Sequence, residues 1–189
     1  MSSGWIVLGI VVAAVLWILG VYNRLVTLRQ RCNQSFADID VQLKQRHDLI
    51  PNLVETVKGY ASHEKDTLDS VVKARAAATS AAPGSPQQQQ AEAQLSGALG
   101  RLIAISEAYP DLKANTNFQQ LQSELTDIEN KLAAARRFFN SAVGEYNAST
   151  ESVPAVFFAA SLGFTPRTFF DIGETERQAL DKAPPQVKF

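Results

Sequence analysis

One uncharged run, "WIVLGIVVAAVLWILGVY" from Trp5 to Tyr22, constrains this chain more than any other feature. Its length is about the minimum that crosses the hydrocarbon core of a bilayer as a helix. It is apolar on every side, whereas a helix on the surface of a globular core carries one polar face. Trp5, Trp17 and Tyr22 lie toward its ends, although Trp17 sits somewhat inside the expected interfacial belt. The preceding "MSSG" has no basic side chain, and "ILGVYNRL" offers no small-x-small cleavage site, so the run reads as an uncleaved anchor. Arg24, Arg29 and Arg31 follow, with no acid before Asp38. The positive-inside tendency then puts the body in the cytoplasm of a single-pass inner-membrane protein and residues 1–4 outside, although arginines in that position also suit lipid phosphates.

Composition narrows the remainder. The 189 residues suffice for one anchored domain, and 18 basic against 19 acidic side chains leave no basic field for nucleic acid. The single cysteine, Cys32, excludes an intrachain disulfide, and with His47 and His63 it makes a poor inventory for a zinc site. Palmitoylation of Cys32 is conceivable, but a small apolar core thiol is the simpler reading.

The body, 23–171, reads as all-α: an up-and-down antiparallel bundle of long helices, followed by a polar, proline-containing tail at 172–189. From Asn23 to about Thr79 helix formers dominate, with one glycine at Gly59. "SAAPGSPQQQQ" ends that stretch at Pro83-Gly84 and lets Ser85 cap a second helix, with Pro86 at its first position, running from about Gln87 to Ala108. Thr116 and Gln119 suggest a capping box for the third. Along that helix Leu121, Leu125, Ile128, Leu132, Ala135, Phe139, Ala142 and Tyr146 recur in steps of four and three, a coiled-coil-like seam. A short apolar helix is expected near Pro154, with Gly163 as left-handed cap and Pro166 preventing continuation.

"RHDLIPNLVETVKGYASHEK", residues 46–65, places Pro51 inside the first body helix. Interior proline costs about 3 kcal/mol, because it removes a backbone bond and clashes with the preceding turn. An unbroken helix to Thr79 would reach about 85 Å at 1.5 Å per residue, far more than the second and third helices cover. Either Pro51 breaks it, or it continues with a kink and leaves part of its length for another surface. The apolar register through Ile39, Leu43, Ile50, Val54, Val57 and Ala61 favours continuity.

These motifs carry a resemblance. "YNRLVTLRQRCNQSFADIDVQLKQRHDLIPNLVETVKGYASHEKDTLDSVVKAR", then "IENKLAAARRFFNSAVGEYN" and "SVPAVFFAASLGFTPRTFFD", resemble the signatures of the LemA family in order, from the anchor to about Asp171. The resemblance implies a single-pass membrane protein with a helical body and no established catalytic residues, some members occurring beside membrane proteases or TPM-domain proteins. "RRFFN" departs from it, with Phe139 where tyrosine is common before the asparagine.

The polar constellations are read as a structural network. Arg46, Asp48 and Asn52 form one set near the proline, with Asp48 and Asn52 four apart on one face. His47 and Asp48 point about 100° apart and do not make a catalytic pair. Glu129, Arg136, Asn140 and Asn147 form a stripe beside the seam, Glu129 giving Arg136 an acidic partner. His63, Glu64, Asp66 and Asp69 make at most a weak metal patch, and the chain lacks HExxH, a Gly-rich phosphate loop and GxSxG. The expected function is therefore non-enzymatic, without cofactor or metal: a membrane-tethered scaffold or adaptor meeting its own copies or membrane proteins. A membrane-shaping protein is the alternative, and a hydrolase using Asp48/Arg46 and Glu129/Arg136 a weaker one.

Overall fold

The computed structural model describes residues 2–170, with side chains from Gly4 onward; the tail expected at 172–189 lies outside the described residues. The fold is all-α, with one long N-terminal helix and antiparallel helices packed against it. Helix α1 spans Ser2–Tyr60, α2 Lys65–Ser80, α3 Pro86–Ile105, α4 Pro110–Lys113 and α5 Thr116–Glu151. Single 3-10 turns occupy Ser106–Ala108, Ala155–Phe157 and Ala160–Leu162. Contacts among the described residues gather into two compact units, one of 2–39 with 134–169, the other of 40–133 with Phe170.

In the first unit, every residue from Gly4 to Gly20 is exposed, as a helix apolar all round must be when no protein covers it. From Leu25 the pattern changes: Leu25, Leu28, Cys32, Ser35 and Ile39 are buried at steps of three and four. They meet the seam of α5, where Phe139, Ala142, Val143 and Tyr146 are buried. The two segments are antiparallel, since Phe36 stacks edge-on against Phe139 while Arg31 reaches Glu145 at 2.9 Å. Burial pushes the Cys32 thiol up against the opposing pull of Arg167 and Arg31, so it behaves as a small apolar core group.

After α5 the expected short helix is present only as two 3-10 turns, yet its stop signal works as anticipated. Gly163 has φ of 77°, a left-handed conformation open to glycine, and the amide of Phe164 bonds the carbonyl of Ala159 at 2.9 Å. Phe164 is buried, its ring edge-on to Tyr22 at 5.4 Å.

The second unit holds an apolar cluster built from Ile50, Leu53 and Val57 of α1, Leu68 and Val71 of α2, Leu95, Leu99 and Leu102 of α3, and Phe118 and Leu125 of α5. Each fully buried large side chain there contributes about 1.5–3 kcal/mol. The body portion of α1 ends at Tyr60, well before the expected Thr79, and the break is not at Pro51. A short turn at 61–64, just past Gly59, separates α1 from α2. It is closed by the bond from the Glu64 amide to the Ala61 carbonyl at 3.1 Å, with Ala61 buried beneath it.

The helix starts divide between expectation and correction. At α3, Ser85 Oγ accepts from the Gln88 amide at 3.1 Å, and Gln88 Oε1 reaches back to the Gly84 amide at 2.7 Å. At α5 the cap is Asn115 and not Thr116: Asn115 Oδ1 accepts from the Phe118 amide at 2.9 Å, and its Nδ2 donates to Tyr60 Oη at 2.9 Å. One side chain therefore starts α5 and fastens the end of α1. Gln119, expected to complete the box, donates instead to the Lys113 carbonyl at 2.9 Å.

Candidate functional site

Along α1 in the second unit, Leu43, Arg46, Ile50, Leu53 and Val57 form a buried stripe at steps of three and four, flanked by buried His47 and Val54. Arg46 thus occupies a core position of an otherwise apolar stripe, and it is fully buried. Helix α3 has the same anomaly. Its buried face runs Gln88, Glu92, Leu95, Leu99, Leu102, with Glu92 buried where the heptad calls for a hydrocarbon. Two opposite charges sit in one core, and the geometry joins them.

Arg46 Nη1 lies 3.4 Å from Glu92 Oε2, its Nη2 donates to Ser96 Oγ at 2.6 Å, and its Nε lies 3.0 Å from Glu129 Oε1. Ser96 passes its own hydrogen to the Glu92 carbonyl at 3.1 Å. The second carboxylate oxygen of Glu92 is 2.8 Å from His47 Nε2. A guanidinium keeps its charge at any ordinary pH, so its burial is tolerable only with such company. Glu92 supplies a buried counter-charge, and Glu129, partly exposed, supplies another at the surface.

The fourth helix enters through the backbone. Proline at 51 has no N–H, so the carbonyl four residues earlier, that of His47, loses its helical partner. Arg75 of α2 donates from Nε to that His47 carbonyl at 2.7 Å. The bond that proline removes from α1 is replaced by one from α2, and α1 continues without a break. Arg46, His47, Arg75, Glu92, Ser96 and Glu129 therefore form one polar knot that draws on α1, α2, α3 and α5.

The sequence reading finds part of this knot and misassigns part. Arg46 and Glu129 are in it, joined to each other. Asp48 and Asn52 are exposed on α1 and stand outside it, because the face they share is turned away from the buried stripe. Asp48 lines a shallow groove with Gln45, Leu49, Glu124, Asp127, Ile128 and Lys131, none of them a member of the knot. Glu129 contacts Arg46 at 3.0 Å; Arg136 lies seven residues and about 10 Å further along the same helix. Arg136 and Asn140 are half-buried on the first unit's part of α5. Asn147 has a clear structural task there: its Nδ2 donates to the Arg167 carbonyl at 2.9 Å and its Oδ1 accepts the Arg167 amide at 2.8 Å. That pair of bonds pins the segment beyond Gly163 to α5.

Glu92, Ser96, Arg75 and the His47 ring were missed. Glu92 left a usable trace, since extending the steps Leu102, Leu99, Leu95 backward lands on it. Arg75 left none, because only the fold brings α2 beside the His47 carbonyl. Within the knot Arg46 faces the carboxylates of Glu92 and Glu129, the His47 ring faces Glu92, and Arg75 faces a backbone carbonyl. Among the described residues, no three His, Cys, Asp or Glu side chains gather in a way that would hold a metal ion.

Comparison with known proteins agrees with the motifs. The sequence model of the LemA family matches residues 35–189. Magnetosome protein MamQ of Magnetospirillum gryphiswaldense is 25% identical over 174 residues, covering 79% of this chain and 64% of that protein. Magnetosome protein MamQ 2 of Paramagnetospirillum magneticum is 24% identical over 185 residues, 85% of this chain and 68% of the relative. Protein LemA of Metamycoplasma hominis is 22% identical over 159 residues, 84% and 73% respectively. The chain spans less than two thirds of the first relative's length.

Proposed function

Since this chain belongs to the LemA family, we propose that it acts as a membrane-anchored helical scaffold or adaptor, through protein–protein contacts and without chemistry of its own. The observation that carries this reading is the knot itself. Among the described residues, ionisable groups of several helices converge in this largely buried assembly, with Arg46 between Glu92 and Glu129. Its geometry suits fixing helix register, the best attested use of buried charge. A hydrolytic use of Asp48 with Arg46 would need the two to face one reacting atom, and Asp48 is exposed while Arg46 is enclosed.

The apolar helix near the N-terminus is compatible with a membrane anchor, and its exposure from Gly4 to Gly20 supports that use. Exposed apolar side chains on the body, Val41 and Phe138 among them, support contact with further protein, its own copies first. Membrane proteases and TPM-domain proteins are the other partners proposed, at the inner membrane with the body in the cytoplasm. Detergent-solubilised full-length protein should elute as an oligomer, and a chain beginning near Leu25 should lose much of that association. Light scattering on the two reads the difference. A strictly monomeric full-length protein removes self-assembly from the proposal.

A further inference from the structure

The turns after α5 present an apolar surface where a soluble body has no use for one. Val153 is 74% exposed and Phe157 80%, with Val156 and Leu162 also open, while Ala155, Ala159 and Phe164 turn inward. The same unit fixes the level of this surface along α1. Val153, Pro154 and Ala155 line a small depression with Val21, Arg24 and Leu25. Phe164 stacks on Tyr22, and the Arg29 guanidinium lies over its ring at 4.9 Å. These contacts begin at the last residues of the uncharged run and extend about 10 Å beyond it, from Tyr22 to Arg29 at 1.5 Å per residue. That distance is comparable to the headgroup layer flanking a hydrocarbon core of about 30 Å.

We propose that the segment Val153–Leu162 is a second membrane contact, which lays Phe157, Val153, Val156 and Leu162 into the lipid interface at the foot of the anchor. The inference rests on the reading of residues 5–22 as membrane-spanning, and gives the same bilayer a second point of attachment. If that helix spans the bilayer, anything packed on Val21 to Leu25 is at headgroup depth, where exposed Phe, Val and Leu are favourable and a protein surface elsewhere would hide them. Arg24, exposed at the same level, and Arg29 just above it suit the phosphate layer. The turns thus work as a foot that sets the height of the first unit against the membrane.

The test places a nitroxide on a cysteine introduced by Phe157→Cys in full-length protein in phosphatidylglycerol–phosphatidylcholine vesicles. Cys32 is the chain's one cysteine and is fully buried, so it stays, and label taken up by the unaltered chain gives the background. Collision with dissolved oxygen, which concentrates in lipid, is compared with collision with a water-soluble nickel chelate. Val72→Cys on exposed α2 serves as the aqueous reference and Val12→Cys as the reference within the anchor. The expected result is an oxygen-to-nickel ratio at residue 157 several-fold above that at 72 and below that at 12. A ratio equal to that at 72 overturns the proposal while leaving the anchor intact if residue 12 reads as hydrocarbon. A label at 157 shielded from both reagents overturns it in favour of a covering protein. Aqueous readings at both 12 and 157 remove the anchor and this inference together.

Discussion

The two units keep arginine in opposite ways. In the first, Arg29 lies over Phe164, Arg31 over Phe138 at 5.5 Å and Arg167 over Tyr146 at 5.9 Å. Their charged planes rest on ring faces, and Arg31 also keeps an exposed ion pair with Glu145. In the second, the Arg46 side chain is wholly enclosed and is met by carboxylates and a hydroxyl. A cation on a ring face at the surface needs no exact partner, because water still solvates its edge. A cation inside a helical core needs every partner, because nothing else there can solvate it. The first arrangement tolerates drift between helices; the second specifies one register of α1 against α3 and α5.

The largest expected effect breaks the comparison at its centre. Arg46→Ala should cost about 3–5 kcal/mol, since it leaves Glu92 buried without its cation and opens a cavity. Arg29→Ala should cost about 1 kcal/mol or less, the usual worth of a surface cation on a ring. Denaturant melts of the two variants give the ratio, and comparable losses would mean that the two modes of keeping arginine are energetically alike.

A smaller effect sharpens the role of the proline. Arg75→Ala should cost about 1–3 kcal/mol by leaving the His47 carbonyl unpaired. In a Pro51→Ala background the helix supplies that carbonyl with its own N–H, so the same change should cost much less. A double-mutant cycle measures the coupling directly. Additive losses would show that Arg75 matters for some reason other than the bond proline leaves open.

The smallest effect is a pH dependence. Burial pushes the Asp40 carboxyl above the usual carboxylate range. A folded value raised above the unfolded one favours the protonated acid in the fold. The associated stability is fully present below the unfolded pKa, about 3.9, and is lost as pH rises through the folded value. Asp40→Asn should therefore melt slightly higher than the parent at neutral pH, and the gap should close by about pH 3. A gap that widens in acid would reverse the assignment.

What the sequence makes legible follows from which interactions are local. Ser85 with Gln88, and Gly163 with Phe164, work within one turn of chain, and their residue types announce them. The seam of α5 is legible because each of its residues buries against whatever lies opposite. The end of α1 at Tyr60 is hidden, because Gly59 is a weaker signal than Pro51 and tertiary contacts around Ala61 decide the corner. Glu129 is legible as half of an ion pair, but sequence spacing does not tell that Arg46 on another helix comes to face it. Asp48 is grouped with Arg46 by sequence, although two helical residues turn its side chain about 200° from that of Arg46, onto an exposed face.

The bond from Arg75 to the His47 carbonyl has a consequence for the order in which the chain is made. Synthesis begins at the N-terminus, so α1 emerges with a gap in its ladder at residue 47 that its own sequence does not close. The closing side chain arrives 28 residues later, Glu92 follows, and Glu129 comes last. Until then water must fill that gap, and the stretch around Pro51 is the natural place for α1 to hesitate while the rest of the protein is still inside the ribosome.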